Sequence, residues 1–339
     1  MIRQLNFEEK LKNIGVVVIG RNEGQRLRRC LESVCSKVNQ VLYVDSGSTD
    51  ESVSMVEGMG IDVFELDLSS PFSAARARNE GFAFLLKQHP EIKFVQFVDG
   101  DCTLASDWLR SAGAFLEEKS SYAAVVGHLQ ELHPDVSVYN RLCAMEWKSP
   151  AGDLENYGAL GGISMIRASV FKQLNGFNCK VIAGEDSELG VRMALAGFKV
   201  RKIDHPMAVH DANMYRFKQW WKRAVRSGHA IGQRAYLNGN TVIRDCVKER
   251  NSVWFWGILL PIFILLMFIP TNGLSVLLLA GYLVLAVRLY RYRLKQGDKS
   301  SNALLYAFFI VLGKFAEAIG MIKFHMNRVT EQYEIIEYK

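Results

Sequence analysis

The sequence predicts an α/β domain on a mostly parallel, Rossmann-like sheet, followed by a C-terminal helical membrane region. Three observations carry this. Over the first hundred residues, short apolar runs rich in β-branched residues alternate with stretches of helical periodicity. That is the βαβ progression, which implies parallel strands joined by right-handed crossovers. Three of these runs end in a polar cluster, where α/β sheets bind their ligands. Finally, residues 251–287 contain no Asp, Glu, Lys or Arg, whereas the preceding 250 are charged like an ordinary water-soluble chain.

The elements follow in order. Residues 15–20 (GVVVIG) form a continuous apolar run, as expected of a strand buried on both faces. Leu27, Cys30, Leu31, Val34 and Cys35 are spaced i, i+3, i+4, i+7, i+8, one face of a helix. Then come a strand at 41–46, a helix from about Thr49, a strand at 61–66, a long helix over 72–89 and a strand at 94–101. Beyond residue 105 the pattern is mixed, with a strand at 123–129. Residues 183–197 read as a helix, with acids in the first turn and a glycine past the end. A strand at 199–210 leads to a basic helix near 213–236. In the membrane region, 253–269 and 274–290 are helices joined by a turn at Pro270-Thr271-Asn272-Gly273, with Arg288 snorkelling. Arg288, Arg291, Arg293 and Lys295 then hold that end on the cytoplasmic side. Residues 303–324 are interrupted by Lys314, Glu317 and Lys323, so an interfacial helix is expected, with a third crossing as the alternative.

Charge and composition narrow the function. A charged fraction of 22% and 11% aromatics exclude a disordered chain. The net charge of +6 is too modest to argue for nucleic acid. Its distribution says more: Arg216, Lys218, Lys222, Arg223, Arg226, Arg234 and Arg244 form a block without an acid, just before the apolar stretch. Such a surface suits anionic headgroups or a phosphorylated ligand. The six cysteines show no C-x-x-C and no metal-ligand spacing, and read as reduced core thiols. The first residues, MIRQLNFEEKLKN, contain no apolar core of a signal peptide, so the charged part is expected in the cytoplasm.

Four clusters could carry chemistry. Asp99-Gly100-Asp101, at a strand end, places two carboxylates where they can hold a hard divalent cation against a diphosphate; a solvated Asp-Gly turn is the plain alternative. Asp45 stands at another strand end before a Ser/Gly turn and can accept hydrogen bonds from a base or ribose. Arg76, Arg78 and Asn79 are a solvated helix face, or a phosphate clamp. Glu185, Asp186 and Glu188 open a helix, where dipole stabilisation alone would favour them; the functional reading is a general base.

Taken in order, VVVIGRNEG, VDSGSTDE, ARNEG, VDGD, Gly161-Gly162 and GED resemble a family 2 glycosyltransferase of GT-A fold, over about residues 14–230. The resemblance implies an inverting enzyme using a nucleotide-diphosphate sugar and Mg2+ or Mn2+. By position, Asn22, Glu23, Asp45 and Ser46 would bind the nucleoside. Asp99 and Asp101 would hold nucleotide and metal, with His210 as a late metal or phosphate ligand. Asp186 would be the base beside Glu185, and Gly161 and Gly162 would admit the acceptor. Arg78, Arg223 and Arg226 would contact the diphosphate. Two departures stand out. Gly20-Arg21 precede Asn-Glu where the family often has Pro and then Thr or Tyr. The segment Gln219-Trp220-Trp221-Lys222-Arg223 departs from the Q-x-x-R-W of processive synthases, so polymer synthesis is not expected.

The expected organisation is a cytoplasmic GT-A catalytic domain at 1–245, a transmembrane hairpin at 251–295, and a further helix at 303–324. The expected function is sugar transfer to a lipid-linked or glycan acceptor hydroxyl on the cytoplasmic face of the inner membrane, with membrane lipids as partners and no nucleic acid. A nucleotidyltransferase on a similar sheet and a non-catalytic membrane-tethered binding module are the alternatives.

Overall fold

A computed structural model describes residues 11–154 and 160–331. The chain divides into two compact units, the first ending at Ala212, the second made of Asp135–Leu142 and Asn213 onward.

The first unit is built on a nine-stranded sheet. Strand β1 (Ile14–Gly20) is buried along nearly all its length, as its unbroken apolar run predicts. It pairs in parallel with β2 (Val41–Asp45) and β4 (Phe94–Asp99), and β2 pairs in parallel with β3 (Asp62–Glu65). The crossovers are helices α1 (Gln25–Cys35), α2 (Ser52–Gly58) and α3 (Ala74–Gln88). Register decides what this sheet presents: Gly20 stands opposite Asp45, and Ile19 opposite Asp99. The carboxyl ends of three strands are thereby brought level.

The sheet then changes direction. Strand β5 (Cys102–Leu104), helix α4 (Trp108–Glu118), β6 (Tyr122–Glu131), α5 (Val138–Glu146), β7 (Gly152–Asp153), β8 (Ser164–Arg167), α6 (Ala168–Gln173), α7 (Glu185–Leu195) and β9 (Lys199–His210) complete the order β3-β2-β1-β4-β8-β6-β9-β5, with β7 on β9. Strand β8 is antiparallel to both β4 and β6. This is the part whose sequence pattern is mixed. Gln96 and Trp108, both fully buried, satisfy each other through a 2.7 Å hydrogen bond from the indole.

The second unit is helical: α8 (Phe217–Asn238), α9 (Val247–Leu266, with a π turn at Phe255–Leu259), a 3-10 turn at Leu274–Leu279 leading into α10 (Ala280–Lys295), and α11 (Ser300–Thr330). The basic helix expected in a 1–245 domain belongs to this unit instead. The reason is close packing along α11. A Cβ at Gly228 would fall on the Glu317 backbone, and Trp220 meets Phe309 edge-on at 4.8 Å. Three helices, Val247–Leu266, Leu274–Lys295 and Ser300–Thr330, are long and apolar enough to cross a membrane. In the third, Lys314 and Glu317 pair at 2.8 Å, so two of its three interrupting charges offset each other.

Candidate active site

The site residues of the first unit stand at the carboxyl ends of β1, β2, β4 and β9 and at the start of α7. Its centre is Arg78, on α3. Buried to 2% exposure, it donates from Nη2 to Asp99 Oδ1 at 2.7 Å and from Nη1 to Glu185 Oε1 at 2.6 Å, with its guanidinium 5.4 Å from the Phe177 ring. One cation thus ties the VDGD strand end to the GED helix start, across 107 residues of chain. Burial pulls the Arg78 pKa down, but Asp99, then Glu185 and Asp186, more than offset it, so the group stays charged.

Gly162 lies against this pair. A Cβ there would land on the Arg78 guanidinium and 3.2 Å from Asp99 Oδ2. Because Arg78 is held at both ends, it cannot swing aside. Gly161, at φ 71°, supplies the left-handed turn before it. Gly162→Ala is therefore expected to displace Arg78 from Asp99 and weaken donor binding about tenfold or more, the loss of one charge-assisted hydrogen bond. Calorimetric titration with a nucleotide sugar checks this; unchanged affinity would remove Gly162 from the site.

The three acids of α7 divide their tasks. Glu185 holds Arg78. Glu188 takes a bidentate pair from Arg192, which also donates to the carbonyls of Leu174 and Gly176. Asp186 stays half exposed, and its Oδ1 accepts from the Ser187 amide at 2.6 Å. Dipole stabilisation alone does not require such a division.

Sheet register assembles a second cluster. Cys102 pairs with His210 across β5 and β9, and His210 with Glu131 across β9 and β6. His210 Nε2 lies 3.2 Å from Asp101 Oδ2, its Nδ1 4.0 Å from Glu131 Oε2, and Trp147 closes over the ring at 4.8 Å. Burial raises the pKa of Glu131, against the hydrogen bonds it accepts from His133 and Ala212 and the nearby His210. The structure groups Asp101, Cys102 and His210 within 4.8 Å of one another. A carboxylate oxygen and an imidazole nitrogen 3.2 Å apart match neighbouring ligands of a six-coordinate ion, whose bonds of about 2.1 Å set them about 3 Å apart. These two residues fit Mg2+ or Mn2+. Cys102 does not: sulfur is a soft donor that hard cations of this kind disfavour, and its thiol donates to Asp101 Oδ1 at 3.3 Å.

The other expected site residues are placed as follows. Asp99, expected as a metal ligand, is outside the Asp101–His210 cluster; Arg78 takes its Oδ1. Asp45 is 1% exposed and accepts from Tyr43, from the Gly47 and Ser48 amides and from the Ser48 hydroxyl, so its turn fills the lone pairs expected to meet a base. Asn22, at φ 56°, stitches two loops, receiving Thr49 N–H on Oδ1 and donating its amide to Ser48 Oγ. Glu23 pairs with Arg26 at 2.8 Å, and Ser46 donates its amide to the Gly20 carbonyl. These four build the floor of the strand ends. Arg21 lies over the Phe72 ring at 4.7 Å. Arg76 clamps Glu80 and the carbonyls of Asp67 and Ser70, and Asn79 exchanges hydrogen bonds with the Phe177 backbone. Arg223 and Arg226 lie on α8 in the second unit. Glu131 and Cys102 were missed because only strand pairing brings them to His210, and Trp147 because it reaches the ring from the turn after α5.

Comparison with known proteins agrees with this architecture. Residues 15–174 match the profile of glycosyl transferase family 2, and residues 143–218 match one described as the N-terminal domain of galactosyltransferase. The first unit thus carries a glycosyltransferase family 2 domain with a GT-A-like sheet. The mannosyltransferase PcManGT from Pyrobaculum calidifontis, solved with GDP-Man and Mn2+, aligns with TM-score 0.57 over 95% of this chain and 94% of its own, at 18% identity. Residues 1–349 of S. aureus TarS align with TM-score 0.52 over 96% and 95%, at 15% identity. The O-antigen chain rhamnosyltransferase RfbN of Salmonella typhimurium is 28% identical over 188 residues, 52% of this chain and 58% of RfbN. The pre-mycofactocin glycosyltransferase of Mycobacterium tuberculosis is 26% identical over 226 residues, 64% of this chain and 46% of that protein. The chain spans about half the length of these curated relatives.

Proposed function

We propose that the protein is an inverting glycosyltransferase that moves a sugar from a nucleotide-diphosphate donor to an acceptor hydroxyl at a membrane surface. The observation that carries this reading is Arg78 bridging Asp99 and Glu185: it draws the nucleotide-side acids and the acid-rich helix start into one site. Asp101 and His210 would hold Mg2+ or Mn2+, which when bound supplies positive charge to the departing diphosphate. Asp99, fixed by Arg78, orients the donor. Asp186 accepts the proton of the acceptor hydroxyl, on the face of the sugar opposite the leaving group, so the anomeric configuration inverts.

Asp101→Asn is expected to abolish divalent-dependent nucleotide binding while leaving the fold intact. Incubating membranes with a panel of nucleotide sugars, with and without a chelator, and measuring nucleotide release and lipid products tests the whole reading. Release that ignores both the chelator and Asp101→Asn would remove the metal assignment, and release of pyrophosphate would reveal a nucleotidyltransferase.

The second unit supports a cytoplasmic-face location with a lipid-linked acceptor, as in the rhamnosyltransferase relative's O-antigen context. Helix α11 has 31 residues, a length of about 46 Å, longer than the hydrocarbon layer. It runs parallel to α8, meeting it from Trp220–Phe309 to Tyr236–Phe324. Helix α8 carries Lys218, Lys222, Arg223, Arg226 and Arg234, which hydrocarbon would exclude. On α11, Leu304, Phe308, Ile319, Ile322, Met326 and Val329 form an exposed apolar stripe at helical spacing. The pair suits the membrane interface, with α9 and α10 as the inserted hairpin.

A further inference from the structure

Helices α9 and α11 of the second unit enclose an open cavity of about 500 Å³, lined by Arg250, Asn251, Trp254, Leu259 and His325. Its composition is divided. Arg250, Asn251 and His325 supply polar groups, while Trp254 and Leu259 supply apolar wall, with Leu259 56% exposed. Arg250 donates from Nε and Nη2 to Asn251 Oδ1, which fixes the guanidinium beside the opening without neutralising it. It has no carboxylate partner among the described residues. Trp254 and His325 lie against each other at 6.0 Å, setting the imidazole beside the aromatic wall. Arg328, one turn further along α11, lies over the Tyr236 ring at 4.8 Å and brings a second guanidinium to the same end. Glu249 and Glu331, the acids nearest in sequence, are both exposed and in no ion pair among the described residues.

A guanidinium with an imidazole, beside a second guanidinium at the same end of α11 and opening onto an apolar wall, matches a phosphoryl headgroup with an attached acyl or prenyl chain. We propose that this cavity is a binding site for an anionic phospholipid headgroup, with the phosphate on Arg250 and His325 and the first chain carbons against Trp254 and Leu259. It lies where α9 begins and α11 ends, the level at which an inserted hairpin meets the headgroups. The inference rests on membrane association and not on sugar transfer. Its test therefore reads lipid, so that its failure leaves the proposed reaction standing.

The test is native mass spectrometry of the detergent-purified full chain, titrated with short-chain phosphatidylglycerol. The wild type should retain one lipid per chain. Arg250→Gln and, separately, His325→Gln should each lower that occupancy about tenfold, the loss expected for one charge-assisted contact. Arg291→Gln, an exposed cation near the end of α10, should leave it unchanged. Two competitors separate the sources of phosphate. Displacement by inorganic phosphate would show that the headgroup alone is recognised; displacement by excess phosphatidylglycerol only would show that the chain contributes. No retained lipid in the wild type, or equal losses with Arg250→Gln and Arg291→Gln, would overturn the site in favour of diffuse surface charge. Unchanged circular dichroism and thermal midpoint guard against a folding defect.

Discussion

Asp186→Asn is expected to lower sugar transfer about 10²- to 10⁴-fold, the range of a positioned general base, with donor affinity held within a factor of about three. The expectation follows from how the first turn of α7 is shared out. Glu185 is committed to the buried Arg78 and Glu188 to the part-exposed Arg192, and removing either disturbs packing. Asp186 stays half exposed, beside its own Ser187 amide, and close enough to Arg78 to help keep that group charged. A carboxylate at a helix start gains little as a base from its surroundings, so its contribution is position rather than basicity. Asn preserves the size and the acceptor oxygen but cannot take a proton. Glu185→Gln gives the contrast: by loosening Arg78 it should weaken donor binding and turnover together. Single-turnover kinetics with calorimetry separates the two patterns. Full activity in Asp186→Asn, or equal loss of binding and turnover in both variants, would transfer the base role elsewhere.

How much of this was legible beforehand depends on the range of the interaction. Strands at 15–20, 41–46 and 94–101 were readable because a strand buried on both faces needs an unbroken apolar run, and burial of β1, β2 and β4 bears this out. Asp99 was readable as a strand-end residue for the same reason, with Asp101 two residues on, whereas His210 closes a strand of mixed polar and apolar pattern. What each carboxylate touches was not. That Asp45 would be filled by its own Ser/Gly turn while Asp186 stays half exposed depends on φ and ψ at single loop residues. Strand β8 was hidden by its length of four residues, too short to show a period, yet it separates β4 from β6 and follows Gly162. The Glu131–His210–Cys102 row is a property of register across three strands, which composition does not encode. The domain boundary moved for a similar reason: the charge of α8 reads as soluble, but its glycines and Trp220 dock on an apolar helix far along the chain.

Arg78→Met should be the most destabilising single change in the first unit, and it should couple stability to pH in a way the wild-type protein does not show. Breaking a buried ion pair costs about 3–5 kcal/mol, because the surviving charge is left desolvated without a partner. Here the two survivors differ. The Asp99 side chain is 37% exposed and can recover water, so its share is heavily screened, whereas Glu185, at 8%, cannot. Most of the loss therefore sits on Glu185. The double variant Arg78→Met/Glu185→Gln should regain a large part of it, since an amide needs no counter-charge. The sign of the pH effect follows. In Arg78→Met, a desolvated Glu185 favours its protonated form in the native state, which then binds more protons than the unfolded chain, so stability rises as pH falls. In the double variant that slope should vanish, because the titrating group is gone. Thermal midpoints of the detergent-purified chain and its two variants, read across mildly acidic to neutral pH, give the comparison. A midpoint for Arg78→Met that is flat with pH, or a double variant no more stable than the single one, would mean that Glu185 finds another partner and that Arg78 is not the strut joining the two halves of the site.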